Sequence, residues 1–481
     1  MRFTHHGGAA VVLAFIACGG DTSNAGDVDG GDAGAVDGSL DGSAGDTWSP
    51  DHFVPSPGAG DPCRGTPLPV DQHYVPAGLC ARVVATNIIA QRQLTFAPNG
   101  DLFAVSRSGA IRLLRDSNGD GTFQPGEVTT WATSPGANGN NCHIDVAGGF
   151  LYAGSLDGVV RFPYSPTAMS GGAPVSVVTG QPAGGHSLHT VHVYGGYLYV
   201  HSGSAANMSN DSNPTTSVYD TARSLLRRFK LSTFDGTTPL AWLSGEVVSQ
   251  GLRNMAGFTQ NAAGRMYGVV NGLDDVRYQG QDVHNDNPGE QVVALAPGKN
   301  FGYPFCMTSQ RIVSGAMLIA PGTQVVNENY PSAGVDDAWC ASNSSQPATF
   351  VQAHSAPLDI SFFDVQPSGG LPERWRNGAF IALHGSWDRS PATGSKVVWM
   401  PFDAAGNAPM PVSTSTTTTF PYETVLGGGN ASGPTDGAWT WSSPMGGEGP
   451  RPAGVAISPI DGALYIASDA GGNIYRVGIQ K

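Results

Sequence analysis

Gly184-Gly185-His186-Ser187-Leu188-His189-Thr190-Val191-His192-Val193-Tyr194-Gly195-Gly196-Tyr197-Leu198-Tyr199-Val200 reads as two short strands joined at a glycine turn. β-Branched and aromatic residues dominate residues 190–194 and 197–200, and Gly195-Gly196 supplies the tight connection. The second half of this stretch decides the fold, because it recurs. A turn glycine followed by an apolar strand appears as Gly100-Asp101-Leu102-Phe103, Gly149-Phe150-Leu151-Tyr152, Gly196-Tyr197-Leu198-Tyr199, Gly264-Arg265-Met266-Tyr267, Gly378-Ala379-Phe380-Ile381 and Gly462-Ala463-Leu464-Tyr465. Several copies lead through a small-residue turn into another strand, as in Gly472-Asn473-Ile474-Tyr475-Arg476-Val477. Six units over about 420 residues allow about 70 residues each, enough for a four-stranded blade with long loops.

The chain is therefore expected to be all-β, a six-bladed β-propeller over residues 61–481. A β-sandwich or two β domains would use similar hairpins. The lack of a second linker within this region favours one closed ring. Spacing is widest between Tyr267 and Gly378, which predicts the longest insertions there. The final hairpin, residues 451–477, is expected to pair with residues 80–90 and close the ring.

Composition agrees. Of 481 residues only 13% are charged, while Gly (67) and Pro (35) are abundant, as in turn-rich β proteins. Lys and Arg total 24 against 38 Asp and Glu, a formal charge of −14. Nucleic acid is excluded as a partner, since it demands a basic footprint.

The N-terminus reads as an export signal. Arg2 precedes an apolar run, residues 9–17, too short to span a bilayer. Phe15-Ile16-Ala17-Cys18 resembles a bacterial lipobox. Residues 1–18 are thus expected to be a lipoprotein signal peptide with lipidation at Cys18; an ordinary secretory signal is the alternative. Residues 19–60 are rich in Gly, Asp, Ala and Ser and hold no Lys or Arg. Such a segment cannot bury enough apolar surface to order itself, and reads as a disordered acidic tether. The expected location is the bacterial outer membrane or cell surface, facing periplasm or exterior, with membrane attachment only through the lipid. Export permits disulfides. The pairings expected are Cys63 with Cys80 and Cys306 with Cys340, leaving Cys142 free and buried.

Four constellations carry chemistry. Asp116, Asn118, Asp120, Thr122 and Glu127, with Gly121 at the sixth position, match the spacing of a calcium loop. Its flanks look like strands, so it would be an isolated structural Ca2+ loop; a Gly/Asp-rich turn is the competing reading. His186, delivered by two glycines, is a candidate general base, or simply tops a hairpin. Arg253 and Asn254, between Gly251 and Gly257, suit a planar carboxylate or quinone oxygen, unless Arg253 pairs with a structural carboxylate. His384-Gly385-Ser386-Trp387-Asp388-Arg389 and Pro450-Arg451-Pro452 place further His, Trp and Arg side chains at strand ends. Residues 300–306 read as a rigid aromatic turn.

Taken in order, His186 after its glycines, Gly251-Leu252-Arg253-Asn254, Gly298-Lys299-Asn300-Phe301-Gly302-Tyr303-Pro304, His384-Gly385-Ser386-Trp387 and Arg451-Pro452-Ala453-Gly454-Val455 resemble the soluble glucose/sorbosone dehydrogenases. The resemblance spans roughly residues 80–478. It implies a six-bladed propeller that binds pyrroloquinoline quinone (PQQ) with Ca2+ and oxidises a small sugar. By position, His186 would take the hydroxyl proton while hydride passes to the quinone. Arg253 and Asn254 would hold cofactor oxygens, and Arg451 a cofactor carboxylate. Backbone carbonyls at Asn271 and Gly272 would bind the catalytic calcium, and His384 and Arg389 would line the site. The electrons would leave to a respiratory or dye-like acceptor. The sequence departs from the family at His189, where Arg is usual, and at Val270-Asn271, where Glu-His or Glu-Gln is frequent. It also has no clear counterpart of the glucose enzymes' cofactor-facing lysine. The alternative function is a non-catalytic propeller acting as a cell-surface carbohydrate- or protein-binding module.

Overall fold

The structure, a computed structural model, describes residues 63–480 except 69–71, 89–90, 137–142, 187–188, 210–211, 214–217, 220–221, 315–316, 411–419 and 436–449. The expected signal peptide, Cys18, the tether over 19–60 and Cys142 all lie outside the described residues.

All six copies of the repeated unit become the second strand of a sheet: Leu102–Ser106, Phe150–Ser155, Tyr197–Ser202, Met266–Asn271, Gly378–Leu383 and Leu464–Ser468. Each pairs antiparallel with a strand just before it in sequence: Gln91–Phe96, Ile144–Ala147, Val191–Tyr194, Asn254–Gln260, Pro357–Phe363 and Pro452–Ile457. Third and fourth strands complete six blades. The first strands of neighbouring blades lie against one another, so they line the axis of a ring. The remaining apolar faces pack blade against blade. Phe380, Trp375, Val455, Ile466 and Val477, for example, share one cluster between the fifth and sixth blades. A second strand covered on both faces has no polar side to show. That is why Leu464–Ser468 is buried throughout and reads as continuous rather than alternating apolar sequence.

The ring closes as expected, by pairing Leu79–Ala85 with Ile474–Ile479. The fourth strand of the sixth blade is thus the first long strand of the chain. Both expected disulfides are present, Cys63–Cys80 and Cys306–Cys340. The long insertion lies between Glu290–Leu295 and Thr349–Val351, and holds two small ribbons and a helix, Asp337–Asn343. No helix among the described residues is long and apolar enough to cross a membrane.

Antiparallel pairing has one consequence for chemistry. Where a first strand begins, the second ends, as the pairs Val191–Val200, Asn254–Asn271, Pro357–Leu383 and Pro452–Ser468 record. The loops entering first strands and leaving second strands therefore gather at one end of the ring.

Candidate active site

Every residue named for catalysis or cofactor binding belongs to those loops. His186 precedes Val191–Tyr194, and Arg253 and Asn254 open Asn254–Gln260. Arg451 precedes Pro452–Ile457, and His384 follows Gly378–Leu383. The Asp116 loop joins a third strand to a fourth, Ala110–Leu114 to Val128–Thr133, and so sits at the opposite end.

His186 is held by close backbone contacts. Gly185 has φ +62, and a Cβ there would lie 2.4 Å from the Ala205 carbonyl oxygen. A Cβ on Gly203 would strike the His186 carbonyl oxygen. Only glycine fits either position, as a side chain would push the loop off the strand end. The His186 N–H donates to the Ser204 carbonyl (2.8 Å), and its Nδ1 lies 2.7 Å from Ser204 Oγ. That hydroxyl donates its hydrogen to the Ala206 carbonyl (2.7 Å). With its one hydrogen committed, Ser204 Oγ must accept from Nδ1–H, which leaves the His186 lone pair on Nε2. Burial first, then the neighbouring Arg253 charge and His201, push the imidazole down to about 3. It is therefore neutral, as a proton acceptor must be.

Arg253 is buried and fully engaged. Its guanidinium donates to the Asn207 carbonyl (3.1 Å) and side chain (2.9 Å), to the Asn271 carbonyl (3.4 Å) and to Asp274 (2.7 Å). The competing reading of Arg253, a partner for a structural carboxylate, is thus realised in Asp274. Ser204 N–H donates to the Arg253 carbonyl, which ties the base and the guanidinium into one unit. The expected aromatic turn supports the same loop, with the Tyr303 hydroxyl donating to the Ala206 carbonyl (3.1 Å). Beside this unit, the buried Oδ1 of Asn254 meets no hydrogen-bond partner among the described residues. Asn271 donates to the Pro357 carbonyl (2.8 Å), and the Gly272 N–H to buried Glu290.

On the far side of the ring, Arg451 donates to the His384 (3.3 Å) and Gly385 (3.2 Å) carbonyls. It makes no ion pair among the described residues. Its neighbours are already paired: Asp469 accepts from His384 (2.8 Å) and Arg92 (2.8 Å). Burial opposes ionisation of Asp469, yet those two partners hold it well below the usual carboxylate range. The chain of contacts runs onward. Gly385 N–H bonds the Ser355 carbonyl, and His354, one residue back, meets Asp388 at 3.2 Å. Trp387, 77% exposed, stands beside them on the same loop.

Arg389 is taken up by protein groups. It donates to the Asn285 and Pro391 carbonyls and pairs with Asp286 (3.1 Å). His189 is buried, its Nδ1 on the Ser155 carbonyl (2.6 Å), and burial above all pushes it down to about 4, so it brings no cation to the site. In the Asp116 loop the carboxylates of Asp116, Asp120 and Glu127 accept backbone N–H groups of the loop itself, and Thr122 and Asn118 bond Asp120. A cavity of about 350 Å³ opens at the end of the channel away from His186, lined by Gln93, Asp145, His192, Phe258 and Asp359.

Ser204, Asn207, Asp274, His354 and Asp469 were not singled out from sequence. Their signal was position only: each follows a second strand or precedes a first strand.

A family model described as TrAA12-like matches residues 73–480. A pyrroloquinoline quinone-dependent pyranose dehydrogenase of Coprinopsis cinerea is 28% identical over 436 residues, 86% of this chain and 56% of that protein. The chain thus spans about half the length of that relative. The solved holo form of the PQQ domain of the Coprinopsis cinerea pyranose dehydrogenase superposes with a TM-score of 0.71 at 26% identity. The match covers 86% of this chain and 99% of that one. A calcium structure of a Trichoderma reesei family AA12 carbohydrate-active enzyme gives 0.70 at 26%, covering 85% and 98%.

Proposed function

The chain belongs to the TrAA12-like family, and from that premise we propose that it is a PQQ-dependent sugar dehydrogenase acting on a pyranose or related aldose. The observation that carries this reading is the Ser204–His186 contact, which presents an unprotonated Nε2 at the active end of the ring. His186 takes the proton of the substrate hydroxyl at Nε2, and Ser204 keeps Nδ1–H in place while the imidazole charges. Arg253 stays locked to Asp274 and Asn207 and orders the loop on which the base depends. PQQ, when bound, supplies the two-electron acceptor for the sugar, and its electrons pass on to a respiratory or dye-like partner.

The residues present fit that cofactor. Arg451 makes no ion pair among the described residues and is suited to one of the cofactor's acids, and the Oδ1 of Asn254 is an unused buried acceptor suited to a cofactor N–H rather than to its oxygens. His384 lines the same wall. Trp387 offers an exposed ring for stacking against a sugar face. Calcium is proposed at the carbonyls of Asn271 and Gly272, and a second, structural calcium in the loop from Asp116 to Glu127. Arg389 is assigned the support of the loop at Asn285 and Asp286. Export, with lipid attachment at Cys18, completes the reading.

The test is reconstitution of the purified chain with PQQ and Ca2+, followed by sugar-dependent dye reduction. His186→Ala should lower turnover by at least a hundredfold, the scale of general-base catalysis, while the PQQ-induced rise in Tm persists. A chain that shows no PQQ-induced rise in Tm and reduces no dye with any sugar is a binding propeller instead.

A further inference from the structure

Three side chains meet at the active end, and of these only Asp274, through Arg253, has entered the chemistry above. Asp274 leaves the second strand of the fourth blade, His354 enters the first strand of the fifth, and Asp388 follows the second strand of the fifth. One ligand atom of each lies within 4.8 Å of the others. The side chains of His354 and Asp388 are 5% and 7% exposed.

The hydrogen bonds around them are lopsided. His354 Nε2 faces two carbonyl oxygens, of His284 (2.6 Å) and Asn287 (2.9 Å). Carbonyls only accept, so Nε2 carries the hydrogen, and in the neutral ring the lone pair is on Nδ1. Nδ1 in turn faces Asp388 Oδ1 at 3.2 Å. The other oxygen, Asp388 Oδ2, is buried and meets no hydrogen-bond partner among the described residues. Asp274 adds a second carboxylate, for which Arg253 is the one cation in an ion pair among the described residues. A buried carboxylate oxygen with no donor is costly, and two carboxylates beside an imidazole lone pair are a set of acceptors facing one another. A cation in their midst satisfies all three at once.

We propose that Asp274, His354 and Asp388 form a binding site for a divalent cation of the Mn2+ or Zn2+ class at the active end of the ring. The imidazole selects the class. Ca2+ takes an all-oxygen shell, whereas Mn2+ and Zn2+ accept nitrogen with carboxylate. The second shell has the form such sites use, with the ring N–H of the ligating histidine held by backbone carbonyls. Ligands about 2.1 Å from a tetrahedral ion stand roughly 3.4 Å apart, so the three groups need to draw in by about 1 Å. Because Asp274 also holds Arg253, an ion here would set the charge balance next to His186. The donor set is separate from the Asn271 and Gly272 carbonyls, and binding requires neither PQQ nor sugar.

The experiment uses the whole purified chain, stripped with chelator and without PQQ. Addition of Mn2+ should quench the six-line electron paramagnetic resonance signal of the free ion at one equivalent, and Zn2+ should compete for the same site. Asp388→Asn and Asp274→Asn should each weaken Mn2+ at least tenfold. In chelator, Asp388→Asn should melt at or above the wild-type temperature, since it relieves the crowding of acceptors around Oδ2, a buried oxygen that meets no donor among the described residues. A purely structural Asp388 predicts the opposite, a lower Tm with Mn2+ binding unchanged. Wild-type chain that leaves the Mn2+ signal intact, or that is stabilised by Ca2+ alone, overturns the proposal whether or not the variants fold. Neither result bears on dye reduction with PQQ, so the sugar-oxidation reading is judged separately.

Discussion

The hydroxyl of Ser204 has a single hydrogen, and the Ala206 carbonyl takes it; this small fact sets the tautomer of His186. Ser204→Ala removes the acceptor for Nδ1–H. The lost contact, worth about 1–1.5 kcal/mol, predicts roughly a tenfold fall in kcat with little change in KM. The pH profile should carry a second signature. Burial and Arg253 lower the folded pKa of His186, so the base form persists below the ordinary imidazole range, down to about 3. Wild-type kcat/KM should therefore show no acid break near pH 6.5 assignable to this residue. Such a break, abolished by Ser204→Ala, would contradict the electrostatics described here. The candidate base and Arg253 were legible in sequence because glycines flank both. Asp274, which takes the guanidinium's charge, was not, since nothing local distinguishes it from the neighbouring Asp275.

At the level of elements, the repeated glycine-plus-apolar unit was a reliable guide because both of its parts have local causes. The glycine makes the turn, and burial between two blades demands apolar residues on both faces of the strand that follows. The calcium-like loop illustrates the limit of spacing. Its strand flanks are as expected, yet its oxygens bond the loop's own backbone, an arrangement that residue order alone does not reveal. The Cys63–Cys80 bridge joins residues 17 apart and clips the segment leading into Leu79–Ala85. A loop of that length corresponds to about 3 kcal/mol. Cys80→Ser should lower unfolding stability by that amount in denaturant titration under oxidising conditions, and under reduction the variant and wild type should converge.

For the whole molecule, Ile474–Ile479 is the strand on which the ring depends. It pairs with Leu464–Ser468 on one side and Leu79–Ala85 on the other. Deleting residues 474–481 opens the ring and leaves two strand edges exposed. The truncated chain should lose its cooperative thermal transition and elute as aggregates on size exclusion. A sharp transition in near-ultraviolet circular dichroism would show that closure is dispensable. The same ring explains the site. Strands alternate direction within each blade, so loops carrying residues from 186 to 469 gather at one end only because six sheets share one axis.

What the sequence determined by itself was the strand period and the number of blades, since turns and apolar runs are dictated by backbone conformation and burial nearby in the chain; the closing pair and the two disulfides were expectations that only the closed fold realises. What only the tertiary structure decided was which charges are taken: Arg253 by Asp274, Asp469 by His384 and Arg92, with Arg451 left to carbonyls. An ion pair depends on distances of a few ångströms between groups 21 to 377 residues apart. Those distances exist only once the ring has closed.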